Sequence, residues 1–394
     1  MIDIPSSCTG CSACINICPK NCITMENNVG GFLYPVVNSV ECINCNQCKA
    51  VCPILQPPKP YDNVITLALK NKCIFEREGS SSGGIFPILA KYVLDKKGIV
   101  FGAAYDSNYS VHHIAITKKA DISLLQGAKY SQSILDYCFS EIKKNLCSGR
   151  VVLFSGTPCQ CMGLQAFLGK QYDNLIMVDL ICHGVPAPEI WQKYIDYRSN
   201  KENYGIRPIK INMRSKSSGW SNYGYSTEFM YDNGKITQIY SGQDLFMKAF
   251  IGNICLRNSC SECYAKGVNR CTDFTLGDYW GIWDQYPEFD DDKGINIIFI
   301  HSKKGKNILS QLKDKFECIE VDINDAYREN MSLVVSSKVH EKRNEFLERT
   351  TSDNFEEMVS IYFLPIKANP EGNIQKIKNI VKTFLKKYIR NLEN

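Results

Sequence analysis

The chain has 394 residues, a formal net charge of +5 and 44% hydrophobic residues. This length exceeds one ordinary domain, and the composition excludes a disordered or fibrous protein. Twenty cysteines without a recognisable export signal favour metal ligation in a reducing compartment over a disulfide framework. We therefore expect a cytoplasmic protein, and no apolar run is long enough to predict a membrane-spanning helix.

Two cysteine motifs with the same spacing lie in residues 1–58, which we predict to be a ferredoxin domain. Each motif reads C-x2-C-x2-C-x3-C-P, the spacing with which bacterial-type ferredoxins hold two [4Fe–4S] clusters. In that arrangement the fourth cysteine of each motif crosses to the other cluster. The spacing therefore predicts one cluster held by Cys8, Cys11, Cys14 and Cys52, and a second held by Cys42, Cys45, Cys48 and Cys18. Cys22 lies outside both motifs and is interpreted as a small buried residue.

The formal charge does not predict a nucleic-acid partner, because it counts every cysteine as neutral. An oxidised cube with four thiolates carries about −2, so two cubes reduce the charge to about +1 and a third to about −1. We expect no nucleic acid among the partners. The expected partners are a soluble electron carrier or redox protein and a small-molecule substrate.

Residues 62–148 follow a proline-rich linker and form the next predicted region. We predict strands at 64–70, 98–104 and 111–117, and a helix from 85 to about 94. The Ser- and Gly-rich residues 80–84 open this helix with unpaired backbone N–H groups, which suit a phosphate or an electron-rich ring edge. Most such segments are simple helix caps. His112 and His113 lie on a strand and are interpreted as structural.

Residues 149–330 alternate between strand and helix patterns. Strands at 150–154 and 175–181, with a helix between them, predict a parallel pair with a crossover helix. Cys159 and Cys182 follow these strands at the carboxyl edge, where ligands bind in such sheets. A short C-x2-C pair in a later loop adds two thiolates. The four cysteines predict a third [4Fe–4S] cluster, or a structural zinc, at Cys159, Cys182, Cys260 and Cys263, with Cys255 as an alternative for one position.

The last predicted region, residues 331–394, ends in a helix over 374–392 with one apolar and one basic face. Docking on the protein itself and peripheral contact with an anionic membrane both fit this helix. The predicted fold class is α/β, or α+β overall. A small bacterial-type ferredoxin domain precedes a larger α/β domain with a partly parallel sheet, and the basic amphipathic helix ends the chain.

Six ordered segments resemble the coenzyme F420 hydrogenase/dehydrogenase beta-subunit family and together span roughly residues 75–285. They start at residues 82, 127, 156, 182, 260 and 272, and contain the sequences SGGI, GAKYS, GTPCQ, CHGVP, CSEC and TDFTLGD. The resemblance implies an FAD protein that exchanges electrons with iron–sulfur clusters, and its segments contain the same four cysteines. It places FAD near Ser82, Gly83, Gly84, Lys129 and Tyr130.

Two residues of the resembling segments are candidate catalytic groups. The resemblance favours Lys129 as a cation beside a flavin phosphate or the N1–O2 edge of the ring, against a solvated surface lysine. His183 follows a predicted cluster ligand, and it either holds its loop by a hydrogen bond or transfers a proton.

We therefore predict a flavin- and iron–sulfur-dependent oxidoreductase that passes electrons between a hydride donor or organic substrate, FAD and [4Fe–4S] clusters. The sequences near Cys182 and Gly281 resemble a bacterial branch of the family met beside polysaccharide-building genes, which favours a tie to polysaccharide biosynthesis. The alternative is a non-catalytic electron-transfer subunit of a larger redox complex. A structural or assembly factor without turnover is a third interpretation.

Overall fold

The computed structural model describes residues 2–351 and 354–363. Its strands, numbered along these residues, are β1 Ile23–Asn27, β2 Leu33–Val37, β3 Ile65–Asn71, β4 Ile99–Tyr105, β5 Val111–Ile116, β6 Ser133–Ile134, β7 Val152–Ser155, β8 Leu175–Leu180, β9 Lys210–Ser215, β10 Ser226–Met230, β11 Ile236–Tyr240, β12 Phe274–Asp278, β13 Asn296–Ile300 and β14 Phe316–Glu320. Its α-helices are α1 Ala13–Ile17, α2 Gln47–Ala50, α3 Ile74–Glu78, α4 Ile85–Asp95, α5 Ile122–Leu125, α6 Cys138–Cys147, α7 Pro158–Leu168, α8 Pro188–Asn203, α9 Leu245–Ile251, α10 Ile282–Gln285, α11 Lys303–Gln311, α12 Ile323–Arg328, α13 Arg343–Glu348 and α14 Phe355–Tyr362.

A mixed sheet of nine strands organises the larger part of the chain, in the order β14-β3-β13-β12-β8-β7-β4-β5-β6. Its centre is parallel, since β12 pairs with β8, β8 with β7 and β7 with β4 in that sense. Strands β13, β3 and β14 on one side pair antiparallel to their neighbours. On the other side β5 pairs antiparallel with β4 and parallel with β6. The predicted α/β class with a partly parallel sheet is confirmed, as is the β7–α7–β8 unit.

Helices cover both faces of the central strands, which explains their continuous apolar sequences. On one face α4 packs against alternate residues such as Leu153 and Val178. On the other face α6 and α7 pack against Val152, Phe154 and Met177. Burial of one such side chain contributes roughly 1.5–3 kcal/mol, so this double layer fixes the carboxyl edge of the sheet firmly.

The predicted boundary between residues 148 and 149 runs through this sheet. Strand β4 lies before it and β7 after it, and the two pair directly, with Ile99 opposite Val152. The two regions therefore share one sheet, while the division itself stays a prediction.

The N-terminal unit consists of α1, α2 and the β1–β2 hairpin, and it packs on α6 and α7 through α1. Ala13 and Val51 of this unit are part of the same apolar core as α6 and α7. Gly163 on α7 permits this docking, because a Cβ at that position would lie 2.8 Å from Cys11 Cβ and 2.9 Å from Cys11 Sγ. The N-terminal cysteines are thereby held directly against the α/β domain.

A further layer is built from α8, α9, α14 and the antiparallel sheet β11-β10-β9. Within this layer α14 contacts both α8 and α9. The helix predicted over 374–392 lies outside the described residues. Within residues 2–351 and 354–363 no helix has the length and apolar character needed to cross a membrane.

Candidate redox site

The first cavity lies under the first cysteine motif and is surrounded by Cys8, Cys11, Cys14 and Cys52. Gly10 and Ser12 have left-handed backbones, with φ of 68° and 64°. Alternation of left- and right-handed residues turns successive backbone N–H groups to one side, a geometry typical of Fe–S sites. Among the described residues that line this cavity, none carries a charge.

The second cavity is surrounded by Cys18, Cys42, Cys45 and Cys48. Asn44 and Asn46 are left-handed, with φ of 53° and 59°, and repeat the loop geometry of the first motif. The fourth cysteine of each motif thus lies at the cavity of the other motif, which is the arrangement that crossed ligation requires. The structure also brings Cys22 to this cavity, which the sequence did not indicate.

The third cavity brings together the four cysteines predicted from the α/β region, and it is lined by Cys159, Cys182, Cys260 and Cys263. Cys159 lies in the first turn of α7, and Cys182 follows the end of β8. The loop that contains the C-x2-C pair is fixed beside them by a bridge between Pro186 and Leu256. Cys255, the alternative ligand, does not line the cavity and lies in the apolar core around α8 and α9.

The third cavity is positively charged, in contrast to the first. Arg257, Lys266 and Arg270 line it, and its lining within the described chain includes no carboxylate. Burial raises the pKa of the Cys159 and Cys182 thiols, and cations are what a set of buried thiolates needs for charge balance. The lining therefore suits an anionic metal–thiolate centre.

Hydrogen-bond donors reach two of the sulfurs in the third cavity. The backbone N–H of Val185 donates to Cys260 Sγ at 3.4 Å, and Thr157 Oγ1 lies 3.2 Å from Cys159 Sγ. Thr157 is the N-cap of α7 and forms a capping box with Gln160. The positive end of this helix favours a thiolate at Cys159.

The residues that the structure describes contain no group of three His, Cys, Asp or Glu side chains arranged to hold a single metal ion. A [4Fe–4S] cube takes one thiolate on each of its four irons, so its four ligands surround a cavity and do not converge on a single metal position.

A cleft of about 290 Å³ opens at the carboxyl edge of the sheet, next to the third cavity. Of the residues predicted to bind a cofactor, the structure brings Ser82, Gly84, Lys129 and Tyr130 to this cleft. Gly83 does not line it. A Cβ at Gly83 would lie 2.5 Å from both Leu69 O and Asn296 N, so this glycine is required for close packing of the loop on β3 and β13.

Two basic side chains line the cleft: Lys129, which is half-buried, and Arg214, which is buried. Lys129 Nζ donates to Gln126 O at 2.8 Å, and burial lowers the pKa of Lys129 to about 7. Arg214 is 4% exposed and donates to Asp278 Oδ2 at 2.9 Å. Nε and Nη2 of Arg214 have no hydrogen-bond partner in the described part of the chain. Since buried donors are rarely left unpaired, these groups indicate a polar or anionic ligand in the cleft.

The histidines have different locations. His113 lines the cleft, with Nδ1 2.7 Å from Ser133 Oγ and Nε2 3.0 Å from Ser155 O, and burial lowers its pKa to about 4. Both nitrogens of His113 thus have structural partners. His183 lines the third cavity instead of the cleft, and its Nε2 lies 2.7 Å from Asn253 Oδ1. This contact fits the loop-holding interpretation of His183.

Three residues at the junction of the cavities were missed in the sequence. Thr9 lines the first cavity, the third cavity and the cleft. Arg257 donates to Cys8 O, Leu33 O and Gln132 Oε1 at 3.0–3.1 Å while it lines the third cavity. The pKa of Tyr264 is raised, mainly because the side chain is buried and also because the Cys11 and Cys159 thiols lie near it. Its hydroxyl is buried without a hydrogen-bond partner among the described residues. In the sequence, the only indication of Thr9 and Arg257 as site residues is that they lie inside cysteine-rich segments.

Comparisons with known proteins give two family matches. Residues 149–326 match the family described as the C terminus of the coenzyme F420 hydrogenase/dehydrogenase beta subunit. Residues 7–54 match the 4Fe-4S dicluster domain. A solved chain of the xenon-derivatised F420-reducing [NiFe] hydrogenase complex from Methanosarcina barkeri is similar at 16% identity and a TM-score of 0.45, covering 76% of this chain and 91% of that one. A search of curated proteins found no match. The resemblance seen in the sequence is confirmed: behind residues that match an iron–sulfur dicluster domain, residues 149–326 match the C-terminal domain of the coenzyme F420 hydrogenase/dehydrogenase beta-subunit family.

Proposed function

We propose that the chain is an FAD- and iron–sulfur-dependent oxidoreductase with three [4Fe–4S] clusters. The cleft would bind FAD and exchange a hydride with an organic substrate or a nicotinamide-like donor, and the N-terminal unit would exchange single electrons with a soluble carrier. The contiguity of the cavities carries this proposal. Cys159 lines both the cleft and the third cavity, and Thr9 joins both of them to the first cavity.

The basic side chains of the cleft and the cavity beside it support the proposal of a flavin site. Its volume of about 290 Å³ lies at the lower end of the range for ligand pockets, and it adjoins a side cavity of about 470 Å³ with which it shares Val111, Ser131 and Gln132. Lys129 and the unpaired N–H groups of Arg214 would hold the phosphates or the electron-rich ring edge. Ser82 and Gly84 lie at the start of α4, where backbone N–H groups favour an anion.

The fit of a cluster to the third cavity rests on its ligands and its cations. Cys159, Cys182, Cys260 and Cys263 supply the four thiolates that a cube needs. The three cations of this cavity offset the negative charge of such a centre. A structural zinc on the same thiolates is the competing assignment, and metal analysis separates the two.

FAD supplies transfer of an electron pair and the clusters supply transfer of single electrons. The residues of the chain determine how these groups are placed. Gly163 lets Cys11 approach the face of α7 that bears Cys159 one turn earlier. The first and third sites are therefore neighbours, and the second site lies at the outer end, where Cys45 is exposed.

The soluble carrier would dock at the second cavity. Val40 and Ile43, beside Cys42 and Cys45, are 93% and 57% exposed, and isolated apolar side chains at such a rim suit a transient redox contact. The non-catalytic relay is the second candidate. The cleft favours the enzyme, because Lys129 and Arg214 line it as basic groups suited to an anionic cofactor, which a chain that only relays electrons does not need. A tie to polysaccharide biosynthesis stays a prediction.

Flavin retention and donor-driven reduction test the proposed function. We expect anaerobically purified protein to contain about one FAD and to pass electrons from a nicotinamide donor to its clusters, with flavin bleaching followed by cluster bleaching in stopped-flow spectra. Lys129→Met should lose flavin while the iron content stays unchanged. Lys118→Met, which alters an exposed lysine on a neighbouring loop, is the matched control. Protein that retains all its iron but binds no flavin would establish the relay instead.

A further inference from the structure

The second cavity contains a fifth thiol. Cys22 Sγ lies 3.4 Å from Cys18 Sγ, and both residues line the cavity with the three cysteines of the second motif. Cys22 is 4% exposed, so its interpretation as a buried residue is correct. Its location at a predicted cluster site is a finding of the structure.

The backbone fixes Cys22 in this position. Asn21, with a left-handed φ of 50°, turns the chain three residues after Cys18, and its N–H donates to Cys18 O at 3.2 Å. Cys22 O accepts from the N–H of Asn38 at 2.8 Å, at the base of the β1–β2 hairpin. The thiol is thus held beside Cys18 by main-chain contacts that do not depend on Cys18 as a ligand.

The first cavity lacks such a thiol. Gln56 occupies the position of the second motif that corresponds to Cys22, and it is exposed. Among the described residues that line the first cavity, the only cysteines are the four predicted ligands. The two cavities are otherwise built alike, so the first serves as an internal control for the second.

We propose that Cys22 is a reserve ligand of the second cluster and replaces Cys18 when the bond from iron to Cys18 is lost. The exchange breaks the iron–sulfur bond to Cys18 and forms one to Cys22. The Cys22 thiol gives up a proton, the Cys18 thiolate takes one up, and no electron is transferred. This inference rests on the proposed clusters, and it assigns a ligand that the C-x2-C-x2-C-x3-C-P spacing does not contain.

Iron and sulfide counts on the anaerobically purified full chain test the reserve ligand, together with low-temperature EPR spectra of the dithionite-reduced protein. Cys22→Ala should keep the wild-type iron content. Cys18→Ala should also keep it, with a changed EPR signal from one cluster. The double variant should lose about four irons, the content of one cube. Cys52→Ala, which removes the corresponding ligand of the first cavity, should lose about four irons although Cys22 is present.

Equal iron loss in Cys18→Ala and in the double variant would overturn the reserve ligand. If the alanine variants do not fold by circular dichroism, the valine variants Cys18→Val and Cys18→Val/Cys22→Val, which also lack a ligand atom, replace them with the same expected difference. Wild-type protein without iron would overturn the proposed clusters and this inference with them. If the wild-type protein has its full iron content, the variants test the role of Cys22 separately from the existence of the clusters.

Discussion

The cavities of the N-terminal unit and the third cavity hold cysteines in two different ways. In the first and second cavities, three of the predicted ligands come from one short loop and the fourth from the other motif. In the third cavity the four cysteines come from α7, from the end of β8 and from a loop about eighty residues later. The first kind of site is specified by local spacing, and the second depends on the whole sheet.

The surroundings differ as much as the origin of the ligands. The described lining of the first cavity has no charged side chain, whereas Arg257, Lys266 and Arg270 line the third. The potential of an iron–sulfur cluster depends on nearby charge and on hydrogen bonds to its sulfurs. Cations stabilise the reduced form, so we expect a cluster at the third site to have a higher potential than one at the first.

The largest expected effect is loss of the third cluster. Cys260→Ser should remove about four irons per chain and leave the others in place, because the third cavity shares no ligand with the N-terminal sites. Cys255→Ser is the control, since Cys255 is a nearby buried cysteine that lies in the apolar core and does not line the cavity. Iron counting distinguishes them. If Cys255→Ser loses the same iron, the assignment of the four ligands is wrong.

The contact between the two kinds of site should be sensitive to a single methyl group. Gly163→Ala places a Cβ 2.8 Å from Cys11 Cβ, and we expect a loss of about 1–3 kcal/mol in the free energy of unfolding. Gly79→Ala is the control, because its Cβ would meet nothing closer than 3.5 Å at an ordinary φ of −70°. Denaturant unfolding of both variants measures the difference. A Gly163→Ala variant as stable as wild type would show that the N-terminal unit is not docked tightly on α7.

The charge difference can be tested at Lys266, whose Nζ donates to Cys182 O and Ser332 O. Lys266→Met should lower the potential of the third cluster by tens of millivolts, because a cation next to the cavity is removed. Lys266→Arg keeps the charge and should keep the potential. Redox titration followed by EPR measures both variants. A potential that is the same in Lys266→Met and wild type would contradict the electrostatic distinction between the cavities.

The smallest expected effect is the uptake of one proton by Lys129 when FAD binds. Burial lowers the pKa of Lys129 to about 7, so this lysine is mostly neutral at pH 8 in the empty cleft and mostly charged at pH 6. An anionic flavin group beside it favours the charged form and raises that pKa. FAD binding at pH 8 should therefore take up about one proton and should weaken as pH rises above 7.

Calorimetry in buffers of different ionisation enthalpy measures the uptake of this proton. The proton should be absent in Lys129→Met and present in Lys118→Met, which alters an exposed lysine. Proton release in the wild type would be incompatible with this role of Lys129. The lowered pKa of Lys129 also affects the stability of the empty protein, and here the pH dependence runs in the opposite direction to that of FAD binding. The folded state binds fewer protons than the unfolded state between pH 7 and the ordinary lysine pKa, so this group makes the empty protein more stable as pH rises through that range.

The difference between the two kinds of site also explains which features could be predicted from the sequence. The eight N-terminal cysteines line two cavities in the grouping that their spacing predicts, while their ligation of clusters stays a prediction. Cys159 and Cys182 were placed together because parallel strands end at one edge of a sheet. These predictions needed no knowledge of side-chain contacts.

Other features could not be predicted because they depend on packing between distant segments. Thr9 lies at three sites only because α1 docks on α7, and Arg257 joins Cys8 to the third cavity although the two residues are 249 positions apart. Gly83 was expected to bind a cofactor, but β3 and β13 approach it too closely for a side chain. Cys22 lies outside every motif, and a turn at Asn21 brings it to the second cavity.

The account depends most on a third iron–sulfur centre beside a flavin cleft. Iron, zinc and flavin should be counted in the same anaerobic preparation of the full chain. We predict about twelve irons, no zinc and about one FAD, with cluster and flavin signals that both respond to a hydride donor. About eight irons with one zinc, or with an empty third cavity, would contradict the account.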